Sequence, residues 1–157
     1  MAGMKTLTEG SPAPDFELLD QHGTPRRLSL LLKDGPVVLF FYPMADTPGC
    51  TKEACHFRDL DAEFLAVGAQ RVGISRDGVA KQLAFAERYG LSYPLLSDEV
   101  GDVAGLYGVK RGLLGALAPV KRATFVIDED QVVRRVVTSE VNMDVHADAA
   151  LETLRAL

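Results

Sequence analysis

Cys50 and Cys55 are the two cysteines of this 157-residue chain, and both lie in one stretch, FFYPMADTPGCTKEACHFRD, where a strand-like run gives way to a helix-like pattern. The first turn of a helix exposes unpaired N–H groups at the positive end of the macrodipole, so a thiol placed there is readily ionised. A second thiol five positions on can capture whatever the first becomes. Low basicity alone does not make a fast nucleophile, because nucleophilicity falls with it. The electrophile must also be oriented and the leaving charge stabilised. Thiol redox is the chemistry these residues point to.

The local pattern supplies some of that machinery. Thr47 fits an N-cap with Pro48 at the first helical position. Pro48 has no N–H, so the nearest donors for an anion are Gly49 and Cys50, and Gly49 lets the backbone come close. Two readings of the Thr47 hydroxyl stand level: it caps the N–H of Gly49 or Cys50, or it donates to sulfur or a ligand. On an ideal helix the two cysteine Cα atoms lie roughly 9 Å apart, after about 7.5 Å of rise and about 140° of rotation. A disulfide needs less than about 7 Å, so the pair can bond only if the first turns unwind. Cys50 projects onto the face of Phe57 and Phe64 and is expected in a pocket; Cys55 points almost oppositely, nearer solvent.

The elements that must hold this site read as α/β. PVVLFFYP, Pro36 to Pro43, is an apolar run closed by prolines, as in a strand buried on both faces. A helix is predicted from Pro48 to about Val67 with Gly68 as stop, packing Ala54, Phe57, Leu60 and Phe64 on the sheet. Gln70 to Ser75 reads as the next strand. Asp77 then caps a helix that turns Val79, Leu83 and Ala86 inward and ends at Tyr89-Gly90. Tyr93 to Leu96 is a short strand, Asp98 to Tyr107 a short helix, Ala123 to Ile127 with Gln131 to Val137 a hairpin, and Asp144 to Ala156 a last helix burying Ala147, Leu151 and Leu154. Alternating strands and helices imply right-handed crossovers within a single domain over residues 1–157. GLLGALAPV, Gly112 to Val120, is an uncharged apolar loop, read as a local core plug or short helix in preference to an exposed contact or access patch.

Composition excludes several classes. With 47% hydrophobic and 25% charged residues and no apolar run long enough to span a bilayer, no membrane association is expected. A net charge of -5 argues against nucleic acid as a partner. Met1 to Phe16 lacks the apolar core of a secretory signal, which makes the cytosol the expected compartment. A metal site built from Cys50, Cys55 and His56 is disfavoured by their angular scatter and the lack of a fourth nearby ligand. His56 reads as a surface or satisfied histidine, Arg58 and Asp59 as a structural pair, and His22 and His146 are given no role.

Pro43, Thr47 and Cys50, spaced proline-x3-threonine-x2-cysteine, form a signature that resembles the peroxiredoxins. The longer string YPMADTPGCTKEAC is similar to the Q-type, or bacterioferritin-comigratory-protein, group. GSPAPDFELLD, GISRD, FAERYGLSYPLLSD and RATFVID extend the resemblance over nearly the whole chain. It implies a thioredoxin-like fold, a central mixed sheet flanked by helices with an N-terminal β extension. It also implies reduction of hydrogen peroxide and organic hydroperoxides without a cofactor. Carried over by position, Cys50 is the peroxidatic thiolate and Cys55 the resolving thiol, joined in an intramolecular disulfide that thioredoxin or glutaredoxin reduces. Thr47 would bond peroxide and sulfur, Pro43 would shield the pocket, the Gly49 and Cys50 N–H groups would bind substrate, and Arg122 would lie over the thiolate. The resemblance alone separates Arg122 from Lys121, Arg111 and Arg58. Met44 departs from the group, which usually has lysine there. A monomer is favoured over a dimer. The competing readings are a non-enzymatic redox sensor using the same disulfide and, disfavoured by cysteine spacing, a thioredoxin-type disulfide oxidoreductase.

Overall fold

β3, Val37–Phe41, is the strand on which the fold is built, and every one of its residues is buried. The computed structural model describes residues 5–111 and 119–157, so most of the apolar loop GLLGALAPV lies outside the described residues. Before β3 come β1 (Glu17–Leu19), β2 (Pro25–Arg27), α1 (Leu28–Leu31) and a 3₁₀ turn at Leu32–Asp34; after it come α2 (Pro48–Asp59) and α3 (Asp61–Ala66). Then follow β4 (Gln70–Ser75), α4 (Val79–Tyr89), β5 (Leu95–Ser97), α5 (Asp102–Leu106), β6 (Ala123–Ile127), β7 (Val133–Thr138) and α6 (Asp144–Arg155).

The main sheet has the order β5-β4-β3-β6-β7. β3 pairs parallel with β4, and β4 with β5, whereas β6 runs antiparallel to β3 and to β7. This is the mixed, helix-flanked sheet expected of the thioredoxin-like class, and the separate β1–β2 hairpin is the N-terminal extension. Side chains alternate across a strand, so β3 feeds two cores. Val37, Leu39 and Phe41 pack with Leu28, Val103 and Tyr107 on one face. Val38 and Phe40 pack on the other with Cys50, Ala54, Phe57, Phe64 and Leu151.

Two expectations need correction. The predicted helix to Val67 is two helices, because Leu60 leaves helical geometry at φ -94°, ψ 20°. Arg71 on β4 donates to the Phe57 carbonyl at 2.7 Å and pairs with Asp61, satisfying the end of α2 while the chain turns Phe64 into the core. Gly78, not Asp77, stands at the start of α4, and the buried face is Gln82, Phe85 and Ala86 rather than Val79 and Leu83. Gln82 is buried because it is fully occupied. It accepts from Tyr42 Oη (2.5 Å) and donates to Ser75 Oγ (2.9 Å) and the Leu96 carbonyl (2.8 Å). A hydropathy pattern scores glutamine as polar and so misses such a position.

Phe57 anchors α2 through a stacked contact with Phe40, ring centroids 4.2 Å apart. Phe57→Ala is expected to lower unfolding free energy by about 3–5 kcal/mol in urea titration. A loss below about 1 kcal/mol would show that α2 is not anchored through this ring.

Candidate active site

The loop between β3 and α2 is held from several sides. Ala45 N–H donates to Asp77 Oδ2 at 2.7 Å, and Asp77 also accepts from Ser75 Oγ at 2.7 Å. Asp46 adopts φ 62°, a left-handed conformation uncommon outside glycine, and its carboxylate is bound by Arg88 Nη1 and Tyr89 Oη, each at 2.9 Å. Pro43 is half-buried where β3 enters this loop, and Met44 is exposed. Thr47 is extended at φ -97°, ψ 156°, and Pro48 begins α2 as expected. The Thr47 hydroxyl donates to the Met44 carbonyl at 2.8 Å and does not cap the helix. Neither reading of the hydroxyl holds here: its proton goes to the loop backbone and not to sulfur, and among the described residues no side chain caps the first turn, so the N–H groups of Gly49 and Cys50 remain available.

Cys50 is buried and Cys55 half-buried, as the helical projection requires. Burial pushes the Cys55 thiol above its ordinary pKa, partly offset by Arg58. Arg122 comes from the far part of the chain. β6 is antiparallel to β3 with Ala123 opposite Phe41, so Arg122 leaves the sheet at the end where β3 runs toward Cys50. Its Nη1 lies 3.4 Å from Cys50 Sγ and 2.8 Å from Glu53 Oε1. Its backbone N–H donates to Glu140 Oε2 at 3.0 Å, and Glu140 also pairs with Arg111 at 3.2 Å. A Cβ on Gly49 would stand 3.1 Å from Arg122 Nη2 and 3.5 Å from Met143 Sδ, so glycine permits this close approach.

Burial distinguishes the four basic candidates. Arg122 is 6% exposed, while Lys121 is exposed. Arg111 pairs with Glu140, and Arg58 with Asp59 and the Tyr89 carbonyl. His56 is satisfied by Asp148 at 2.8 Å. Two residues of the site were not legible in the sequence. Glu53, three positions after Cys50 on the same helical face, is 0% exposed. Its one signal was a carboxylate on the stripe that carries Ala54 and Phe57. His146, given no role above, is also 0% exposed, bonded to Thr124 Oγ1 at 2.8 Å and the Ser139 carbonyl at 2.9 Å, and 3.5 Å from Glu53 Oε2.

Burial pushes the Glu53 pKa up to about 8, against the opposing pull of Arg122, and Glu140 adds to the rise. Burial works to lower the Arg122 pKa, but Glu53 and Cys50 more than offset it, so the guanidinium stays charged. Burial holds His146 below its ordinary value, with Arg122 adding to the fall. The site is a buried cation shared by a sulfur and a carboxyl group at a helix N-terminus. Such a site favours a thiolate and can stabilise negative charge on a leaving oxygen. Among the described residues no cluster of His, Cys, Asp and Glu is arranged to hold a metal ion, and no helix is long and apolar enough to cross a membrane.

The AhpC/TSA family model matches residues 10–136. Peroxidoxin BcpB from Mycobacterium tuberculosis, a solved structure, is 66% identical with a TM-score of 0.92, covering 96% of this chain and 98% of its own. Peroxiredoxin Q of Xanthomonas campestris is 29% identical with a TM-score of 0.82, covering 96% of each chain. Chloroplastic peroxiredoxin Q of Arabidopsis thaliana is 45% identical over 150 residues, 96% of this chain and 68% of that protein.

The raised Glu53 pKa makes a stability prediction. A carboxyl whose pKa is higher folded than unfolded contributes stability that is full below about 4.5 and lost as pH rises toward about 8. His146, lowered from 6.5, acts in the opposite sense but only below that pH. Between pH 6.5 and 8 the wild type should therefore lose unfolding free energy relative to Glu53→Gln, by urea titration at each pH. Parallel curves would mean that Glu53 is ionised in the fold.

Proposed function

Since the chain belongs to the AhpC/TSA family and is a peroxiredoxin, we propose that Cys50 attacks the peroxide and Cys55 resolves the product. The protein is a thiol-dependent peroxidase. One observation carries the assignment of the sulfur: Arg122 Nη1 stands 3.4 Å from Cys50 Sγ, both buried, at an uncapped helix start.

The Cys50 thiolate attacks one peroxide oxygen in line, the O–O bond breaks, and the leaving oxygen departs as an anion that takes a proton. Cys50 becomes a sulfenic acid, and the product is water or an alcohol. Gly49 and Cys50 N–H groups and Arg122 hold the oxygens as charge moves. The Thr47 proton is committed to Met44, so its oxygen offers a lone pair to an incoming peroxide hydrogen. Pro43 walls the loop side.

Cys55 then condenses with the sulfenic acid, releasing water and forming the disulfide. For the two sulfurs to meet, the first turns of α2 unwind, breaking the Arg122 contacts and the bond from Tyr93 Oη to the Ala54 carbonyl at 2.7 Å. A dithiol reductant of the thioredoxin or glutaredoxin type restores both thiols. Hydrogen peroxide and organic hydroperoxides are the substrates; alkyl peroxide reduction is described for the Xanthomonas campestris bacterioferritin comigratory protein, 28% identical to this chain. A monomer in the reducing cytosol fits two thiols that the fold does not need as a staple.

In a thioredoxin-coupled hydroperoxide assay, Cys50→Ser should abolish turnover, and Cys55→Ser should give one turnover without cycling. Arg122→Ala should lower the peroxide rate constant by about 10²-fold, the usual effect of losing one oxyanion donor. Undiminished turnover in Cys50→Ser would sink the assignment. A wild type that reacts once but never cycles with excess reductant would be a sensor instead.

A further inference from the structure

Beneath Cys50 and Arg122 lies a buried polar cluster that the peroxide steps leave unused: Glu53, His146, Thr124 and the Ser139 carbonyl. Its hydrogen positions follow from partner chemistry. A carbonyl can only accept, so His146 Nε2, 2.9 Å from Ser139 O, carries the ring hydrogen. In the neutral ring Nδ1 is then a lone pair, and it receives the Thr124 hydroxyl proton at 2.8 Å. Glu53 Oε1 accepts from Arg122, while Oε2 is buried without a hydrogen-bond donor among the described residues and lies 3.5 Å from the same hydrogen-free Nδ1. A carboxylate oxygen there meets like charge density. A carboxylic oxygen there carries no charge to be repelled.

The ionisable groups around the pair pull in both directions: Arg122 favours the Glu53 carboxylate, Glu140 opposes it, and burial outweighs Arg122. Cys50 lies on the same helix, Arg122 comes from the start of β6, Glu140 from the segment after β7, and Tyr93 from the segment before β5. Tyr93 is kept neutral by burial, and Glu140 is a second carboxyl. The cation of Arg122 thus faces two potential anions through one Nη1, the Cys50 sulfur and Glu53. One proton decides between them. Cys50 thiol with Glu53 carboxylate, and Cys50 thiolate with Glu53 carboxylic acid, have the same net charge and differ only in where that proton sits.

We propose that His146 is a positioning residue of the peroxidase: by facing Glu53 with a nitrogen that carries no hydrogen, it withholds the donor a carboxylate needs and keeps the shared proton on Glu53 and off Cys50. Arg122 then directs its charge to the sulfur, not to a carboxylate. The proposal rests on Cys50 being the attacking sulfur. Burial supports it from both sides, raising Glu53 and lowering His146, so that near neutral pH the carboxyl is protonated and the ring is not.

His146→Asn replaces the ring by an amide whose N–H can face Glu53 Oε2, which reverses the bias. Iodoacetamide alkylation of Cys50, followed against pH, reads thiolate content whether or not the protein turns over peroxide, so it separates this proposal from the assignment of Cys50. The acid limb of that profile should move upward in His146→Asn, with about a tenfold lower rate on the limb, corresponding to one pH unit. In a Glu53→Gln background the same substitution should move nothing, because the amide side chain holds no proton to redistribute. An equal shift in both backgrounds, or none in either, would overturn the proposal. Should His146→Asn not fold, infrared spectroscopy of the wild type decides: a carboxylic C=O band at pH 7 that Glu53→Gln removes is required, and its absence refutes the idea.

Discussion

A single positive charge, the Arg122 guanidinium held in the protein interior, is the constraint on which the site depends. Burying an arginine is costly unless its donors are met, and a partner removed would leave the charge stranded. Here Glu53 Oε1 and Cys50 Sγ share Nη1, Glu140 fixes the backbone of the same residue from outside, and Nε is buried without a partner among the described residues. The sheet supplies the placement. Only the antiparallel register of β3 with β6, Phe41 against Ala123, brings residue 122 to the mouth of the cysteine loop.

That constraint explains the polar network behind the loop. A sulfur at the start of α2 is useful only if the helix start stays in place, and Asp77, Gln82 and Tyr42 tie the loop and sheet together with buried hydrogen bonds. Hydrogen bonds of this kind contribute about 0.5–1.5 kcal/mol each, so a few of them hold a loop firmly while one or two can be exchanged during a reaction. The cysteine helix is held along its whole length, its first turns by the Arg122 contacts to Cys50 and Glu53. Its middle is clasped by Tyr93 at the Ala54 carbonyl and its far end by Arg71 at the Phe57 carbonyl.

Much of the fold was legible in the sequence where periodicity and core identity coincide. β3, the start of α2 at Pro48 and the core residues of α6 follow from apolar spacing, proline and capping rules. The misreadings have a common cause. Leu60 interrupts the helix because Arg71, on a different strand, takes the Phe57 carbonyl, and Gln82 is buried because Tyr42, Ser75 and Leu96 satisfy it. In both, a partner distant in the chain overrules a local preference. Thr47 is a different case, because its partner is local: the loop folds back so that the hydroxyl gives its proton to the Met44 carbonyl three residues earlier, which neither reading of its type foresaw.

By itself the sequence determined what is local: a thiol at a helix start behind a proline, a second thiol on the opposite face, and a separation that an intact helix cannot bridge. These follow from helix geometry over a few residues, which any context must respect. Family resemblance singled out Arg122, 72 residues from the sulfur, where residue type and spacing could not; only the tertiary structure decided that Glu53 and His146, 0% exposed, stand behind it. The physical reason is that a side chain's type does not state its burial or its partner. Charge and proton placement are set by desolvation and by groups across the sheet, and those exist only once the strands are in register.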